Sequence, residues 1–551
     1  MTKNPQTNDS KKINWGIQLL LVLSAAVLFA LSFPNLLFEN GLPFLAWFAY
    51  IPILVLIDKN SFLACAGLGA VYGVLAYSLF NYWLGTFHPL AGTIVYCIYL
   101  VYLAIVFTLL KLASVLFQKR AYIIQWLIWL SYEYLRTKGF LGYSFGLSGY
   151  SQWRVIPLIQ IAGVTGVWGV CALVTFPSFW LAAALNDFSI KERINGIGKA
   201  ISSFFGKEKI TALIWAGALA AALVFGVAVN KDFSSSPKVN IALIQHNTDP
   251  WEATKALNHT LILEAYRKDL TILKRLSNEA LAAEPKPALI VWPETAFVPR
   301  IHWHTIYRDS QDFWLPVKEL LEYLSAKDTP FLIGNDDARM EPAKNPNKDD
   351  RFRVDYNAAI LFEKGQITSI YRKLHLVPFT EHFPYKKQFP VVYRILDKAD
   401  THFWEKGEEA TVFSGPGFTF SAPICFEDTF GYLSRNFVKG GADVLINLTN
   451  DAWSKSLPAQ NQHLSTAVFR AVENNRPMLR STISGQTCVI EPSGRITAMA
   501  APFTEAWINP AVPIVKKTAF YTIYGDYLAI IFVIATAALL ILGLFWGKIK
   551  R

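Results

Sequence analysis

Charge is scarce in this chain. Asp, Glu, Lys and Arg make up 17% of it against 53% hydrophobic residues, which departs from soluble globular domains in both directions. At 551 residues the chain also exceeds one ordinary domain, so a single soluble domain is excluded and a membrane protein is the first reading. Cysteine is sparse and odd in number: of the five (Cys65, Cys97, Cys171, Cys425, Cys488), three lie in apolar runs and no C-x-x-C pair occurs. That pattern excludes a disulfide framework and a zinc ribbon, and leaves at least one thiol free. The basic excess of 52 Lys and Arg over 41 Asp and Glu, +11 in all, borders the apolar runs instead of forming one stripe. Its expected partner is an anionic membrane surface, not nucleic acid. No internal repeat, long low-complexity segment or clear small-x-small cleavage site before Pro34 is present, so the first apolar run reads as an uncleaved anchor.

What the chain does have is apolar length. A membrane-spanning helix needs ~20 apolar residues. Runs at roughly 14–36, 42–57, 62–84, 90–117, 121–137, 156–185 and 210–230, and again at 524–547, predict about eight such helices, seven of them before residue 231. Glu133 and Arg136 interrupt the end of the fifth run and, three apart, share a helix face. They are read either as a functional intramembrane pair or as an interfacial one. Alternating the runs from an inner N-terminus puts Lys59, Lys119, Arg120, Lys191, Arg193, Lys199, Lys207, Lys209, Lys548, Lys550 and Arg551 on one side, with only Arg136, Lys138 and Arg154 opposite. This obeys the positive-inside rule. It predicts both termini in the cytoplasm and everything between the last two runs outside, which in a two-membrane bacterium is the periplasm.

Residues 231–520 change texture. Short β-rich runs at 239–245, 288–292, 330–334 and 443–448 alternate with helical stretches near 256–278, 312–326 and 459–474. The expected organisation is 1–230 membrane, 231–520 a soluble α/β domain entered through S-S-S-P at 234–237, and 521–551 a closing span, with an exposed loop K-N-P-N-K-D-D-R after Met340. Three polar reactive residues follow strand-like runs, where α/β folds hold their chemistry: Glu294 in V-W-P-E-T-A, Lys373 in Y-R-K-L-H-L-V-P-F-T-E, and Cys425 in S-A-P-I-C-F-E-D before a predicted helix. Singly, such residues are commonly a helix cap or a buried small side chain. Together they make a consistent set. A cysteine attacks a carbonyl as thiolate and needs a base and a cation nearby. Glu294 can take the proton, while Lys373 and a backbone N–H after Cys425 can favour the thiolate and the tetrahedral oxyanion. Histidine activation is the rival, but none of the nine histidines can be coupled to Cys425 from the sequence.

The order Glu, Lys, Cys resembles the carbon-nitrogen hydrolase (nitrilase) superfamily, which implies an αββα sandwich. With the flanking spans, and with V-P-F-T-E-H-F-P, I-C-F-E-D, N-L-T-N-D-A-W and R-P-M-L-R-S-T, nearly the whole chain resembles the apolipoprotein N-acyltransferase family. The resemblance implies an acyltransferase that moves a chain from a phospholipid, chiefly phosphatidylethanolamine, through a cysteine thioester to the α-amino group of the diacylglyceryl cysteine of an apolipoprotein, with no cofactor. It implies supporting roles for Glu381 and Glu427, and substrate contact by Trp251, in a mobile loop, and by Phe426. Two departures stand out. Phe426 occupies a position where an aromatic hydroxyl is common, and W-S-K at 453–455 replaces the usual W-F-G.

Both substrates would be lipid-anchored. Drawing about fifteen methylenes into water at ~0.8 kcal/mol each costs on the order of 10 kcal/mol, so the site should sit at the bilayer surface and open toward lipid, with residues 139–150 beside it. Competing readings are a membrane-anchored amidase using water as second nucleophile, and a transporter with an inactive nitrilase-like domain. The scarcity of charge within the spans speaks against the latter. His302 and His304 read as polar surface without a metal, Cys488 as a buried strand residue, and Asn447, Asn450 and Asp451 as lining the site or capping a helix.

Overall fold

The computed structural model describes residues 14–87, 89–186, 190–229, 232–249, 259–341, 352–398 and 403–549. Trp251 and the loop after Met340 fall outside them. The apolar runs fold as α1 (Trp15–Ser32), α2 (Ile51–Ile57), α3 (Phe62–Phe80), α4 (Pro89–Phe117), α5 (Ala121–Leu135), α6 (Val167–Asn186) and α7 (Ile190–Ala228). The helices of the α/β region include α8 (His259–Leu281), α9 (Ile301–Ile306), α10 (Gln311–Ser325), α11 (Gly431–Lys439) and α12 (Leu457–Asn474), with a further short helix at Pro390–Lys398, and α13 (Tyr527–Ile549) follows the region. Among the described residues six helices are long and apolar enough to cross a membrane, fewer than the eight expected. The run at 42–57 breaks into a 3-10 turn (Pro43–Trp47) and the seven-residue α2, which Pro52 opens. α5 stops after 15 residues, where the chain turns at Arg136. The run at 156–185 loses its first ten residues to two single turns before Gly166, whose φ of +64° ends them.

The segments nevertheless alternate between two ends. Asp58 meets Lys111 and Asn186 at one end, where Tyr122 also donates to Glu208. At the other, Gln462 of α12 donates to the Pro34 and Phe80 carbonyls beyond α1 and α3, and the Val167 N–H opening α6 donates to Glu473. Close packing of α3 on α4 requires glycine. A Cβ on Gly73 would lie 2.3 Å from the Tyr99 carbonyl oxygen. Glu133 and Arg136 do not bond each other. Glu133 accepts from the Ser148 N–H and hydroxyl, while Arg136 donates to the Tyr99 hydroxyl and the Tyr143 and Phe145 carbonyls. Each thus spends its charge fastening the 143–148 loop over the end of the helices.

The α/β region contains strands β1 (Lys238–Gln245), β2 (Leu289–Val291), β3 (Phe331–Glu341), β4 (Phe352–Glu363), β5 (Gln366–Arg372), β6 (Phe413–Gly415), β7 (Phe418–Ser421), β8 (Val444–Thr449), β9 (Met478–Thr482), β10 (Cys488–Ile490), β11 (Ile496–Met499), β12 (Ala506–Ile508) and β13 (Ala511–Pro513). They form two sheets, ordered β12-β1-β2-β3-β4-β5, with β13 also on β1, and β11-β10-β9-β8-β7-β6. Each has parallel central pairs and antiparallel edges. Ser481 of β9 reaches across to the Ile244 and Val291 carbonyls. On the first sheet α8 and α10 bury Leu270, Leu273, Leu276, Val317 and Leu320 against Ile290, Ile333 and Ile360. The second sheet carries α12 on its outer face, completing an αββα sandwich.

α12 is unlike an ordinary surface helix, because all its residues from Pro458 to Asn474 are buried, clamped between the sheet and the membrane segments. Most of its polar side chains find partners there. Arg470 pairs with Glu473 at 3.0 Å and donates to the Tyr150 hydroxyl and the Thr429 carbonyl. Breaking a buried pair from one side leaves an uncompensated charge, at a cost of about 3–5 kcal/mol. Arg470→Met is therefore expected to lower the thermal unfolding midpoint of the detergent-solubilised protein sharply, whereas Lys318→Met, of an exposed pair, should leave it nearly unchanged.

Candidate active site

Glu294 follows the end of β2, two residues past the fully buried Trp292, whose indole N–H is fixed on Ser277 Oγ at 2.9 Å. β3 passes directly beneath at Gly334. A Cβ there would stand 2.2 Å from the Pro293 oxygen and 2.7 Å from Glu294 Cα, so only glycine permits the approach. The Glu294 carboxylate is tied on both oxygens: Oε1 accepts from Asn357 Nδ2 at 2.8 Å and Oε2 from the Asn450 N–H at 2.9 Å.

Lys373 follows the end of β5 and is 0% exposed. Its ammonium donates to Glu381 Oε1 at 2.8 Å and stands 3.6 Å from Glu294 Oε1. The other oxygen of Glu381 accepts from the Val377 N–H, so the carboxylate that aims the lysine is itself aimed by the backbone.

Cys425 follows β7 with φ +48°, a left-handed conformation that costs a non-glycine residue about 1–3 kcal/mol and recurs where a side chain is held for function. The element directly after it is a five-residue 3-10 turn, Cys425–Thr429, and the expected helix, α11, begins only at Gly431. The thiol is close enough to Glu294, Lys373 and Thr449 for each to act on its proton. Asn447 Nδ2 donates to the Pro423 and Cys425 carbonyls. Glu427 locks the turn to the lysine segment, accepting from the N–H groups of Ile424, Leu374 and His375 and from the Tyr371 hydroxyl. Burial pushes its carboxyl up to about 7.

The charges decide the resting state. One ammonium faces two carboxylates. Although burial works against it, the lysine is held protonated above its ordinary range by Glu381, Glu294 and Cys425. Burial raises Glu294, with Glu381 adding to the effect and Lys373 opposing it. Burial and the Glu294 charge raise the Cys425 thiol well above its usual range, against the pull of Lys373. Lys373 pulls the thiol downward, the direction expected of it, but burial and the Glu294 charge outweigh that pull.

All three residues singled out from the strand ends converge, with Glu381 and Glu427 in contact with their backbones or charges. Phe426 is buried, stacked on Phe145 of the membrane segments at 6.2 Å and packed on Phe430 and His375. Asn447 and Asn450 line the site, as read. Asn357 and Thr449 were missed, because an Asn or Thr within a strand carries no distinguishing sequence signal. His302 pairs with Asp337 at 2.8 Å and His304 is buried, not surface.

Residues 240–516 match the carbon-nitrogen hydrolase family, and residues 25–180 match the N-terminal domain of apolipoprotein N-acyltransferases. The chain is 43% identical over 533 residues to apolipoprotein N-acyltransferase 1 of Treponema denticola, covering 95% of each protein. It is 44% identical over 537 residues to that of Treponema pallidum, covering 96% of this chain and 95% of the other. It is 29% identical to the apolipoprotein N-acyltransferase of Geobacter metallireducens, over 93% of this chain and 92% of that one. The chain belongs to the apolipoprotein N-acyltransferase family. It is a polytopic membrane enzyme with a nitrilase-like sandwich. The three converging side chains stand beside the membrane segments, since Phe426, adjacent to Cys425, stacks on Phe145.

The opposing pulls on the sulfur give a signed test. Following alkylation of Cys425 by iodoacetamide against pH, the midpoint is expected above the ordinary thiol range. It should fall in Glu294→Gln, which removes the carboxylate that raises it, and rise further in Lys373→Met, which removes the cation that lowers it.

Proposed function

We propose that the chain transfers an acyl group from a phospholipid, with phosphatidylethanolamine as the donor expected from the family resemblance, through a thioester on Cys425 to the α-amino group of a diacylglyceryl-cysteine at the N-terminus of an apolipoprotein. The observation that carries this reading is the convergence of Glu294, Lys373 and Cys425 at the ends of three strands, in the face of the sandwich that meets the membrane segments.

Glu294 Oε takes the Cys425 proton as Sγ attacks the ester carbonyl. The tetrahedral oxyanion forms beside the Lys373 ammonium, preorganised by Glu381 and unable to turn away. Collapse breaks the ester C–O bond and the leaving alkoxide takes the proton back from Glu294, releasing lysophospholipid and leaving the thioester. In the second half the neutral amine attacks the thioester carbonyl and gives a proton to Glu294. The C–S bond breaks, the thiolate leaves beside Lys373, and Glu294 returns the proton to sulfur. The elevated Glu294 carboxyl suits both directions of transfer. Phe426 places an apolar wall next to the sulfur where a hydroxyl would otherwise stand. This role fits an acyl chain entering from the bilayer side past Phe145 and the 139–150 loop, and the family resemblance gives Trp251 as a further substrate contact.

The same reading sets the orientation. The sandwich, 231–520, lies on the periplasmic side of the inner membrane, 1–230 and 521–551 form the membrane part, and both ends of the chain are cytoplasmic. Lys59 and Lys111, beside Asp58 at the end of the helices remote from the sandwich, support it. A water-using amidase would need no such apposition of site and membrane.

Incubation with phospholipid followed by mass spectrometry is expected to show an acyl-sized adduct on Cys425. Cys425→Ala should abolish it together with transfer to a peptide amine, while Lys373→Ala and Glu294→Gln each lower turnover by about 10²–10³-fold in a protein that remains folded. Release of free fatty acid in place of the amide would convert the assignment to a hydrolase.

A further inference from the structure

Two loops must keep register for this site to work, and neither lies inside a regular strand or a long helix. One is the turn Cys425–Thr429. The other begins at Asn450, whose N–H holds Glu294, and continues as a 3-10 turn, Ala452–Ser454. Between them lies a four-charge cluster. Nε2 of His463 is 2.7 Å from Asp428 Oδ1, and Nδ1 is 2.9 Å from Asp451 Oδ1. Arg480 binds the remaining oxygens, Asp428 Oδ2 and, at 2.9 Å, Asp451 Oδ2. All four side chains are at most 5% exposed. An ionised carboxylate only accepts, so a histidine bonded to one carboxylate from each ring nitrogen must donate from both and carry charge. Arg480 Nη2, 3.2 Å from Nδ1, then faces a donor, and its bond goes to Asp451.

We propose that His463, as an imidazolium, is a positioning residue for acyl transfer, fastening the Cys425 turn through Asp428 to the Asn450 segment through Asp451. This rests on the assignment of Cys425 and Glu294 above. The cluster is balanced, two cations against two anions, so removing the imidazolium strands a negative charge whose nearer member, Asp451, already raises the thiol. Burial disfavours the charged ring, yet Asp428 and Asp451 outweigh both burial and Arg480 and bring it up to about 9, so the fastening is complete at neutral pH. The two residues before it, Asn461 and Gln462, are bonded to the Glu39, Pro34 and Phe80 carbonyls of the membrane segments. The His463 ring lies 5.8 Å from Phe145. The turn of α12 that aligns the two loops is therefore the one seated on the membrane part.

The test uses the full-length enzyme in detergent with a phospholipid donor and a lipopeptide amine. His463→Gln is expected to lower kcat by about 10²-fold, the scale of a misplaced reacting group, with KM for phospholipid within about twofold of wild type. It should also shift the alkylation profile of Cys425 to higher pH. Adding Asp428→Asn restores charge balance and should return that profile toward wild type. If His463→Gln does not fold, Asp451→Asn, which keeps the side-chain shape, is expected to show the same loss of kcat at unchanged KM. An unchanged kcat in either folded variant, or lost melting temperature with an unmoved alkylation profile, overturns the positioning role while Cys425→Ala remains inactive. Full turnover in Cys425→Ala overturns the underlying assignment as well.

Discussion

An ammonium with no solvent contact, held between two carboxylates, is the constraint around which this protein is arranged. Lys373 could not remain charged at its depth without Glu381 and Glu294, since burying an isolated ion costs several kcal/mol. Given both, it cannot lose its proton in any ordinary pH range. The surplus negative charge falls on the other two members. Glu294 and the Cys425 thiol are both raised above their ordinary ranges. On the proposed mechanism the thiolate then forms only as Glu294 accepts its proton.

That arrangement is only as good as its supports, and most of them are backbone groups. Glu294 is fixed by the Asn450 N–H, Glu381 by the Val377 N–H, and Glu427 by three N–H groups spanning the cysteine and lysine segments. Carboxylates fixed by amides keep their geometry without flexible countercharges. The buried α12 serves the same end on a larger scale, with polar side chains that are bonded to the sandwich on one side and to the ends of α1, α3 and α6 on the other. The membrane part is consequently more than an anchor: it packs Phe145 on Phe426 beside Cys425 and seats α12.

Much of this was legible in the residues, for identifiable reasons. Strand-end positions of Glu294, Lys373 and Cys425 show because apolar β-rich runs stop abruptly before them. The alternation of helix ends follows from apolar length and basic flanks. The number of full spans was less legible: the run at 42–57 and the end of the 121–137 run read as apolar, but Pro52 and the turn at Arg136 cut the helices short. Glu133 and Arg136 were visible as a pair on one face, yet their partners come from the loop at 143–148, beyond the end of the helix, which no periodicity encodes. His463 could not be connected to Cys425 because the connection runs through two aspartates and a strand arginine distributed over 52 residues of chain.

By itself the sequence determined the class of the molecule, membrane helices with an inserted α/β sandwich, and which three side chains could do thiol chemistry. Those follow from local pattern, where hydrophobic length, strand-ending residues and chemical type are written in consecutive positions. The tertiary structure alone decided that burial and charge raise the Cys425 thiol, that a 3-10 turn separates it from the helix that follows, and that its neighbour Phe426 touches the membrane part. A proton's free energy and a contact across domains depend on burial and on charges brought together from distant positions, and neither quantity exists until the chain has closed around them.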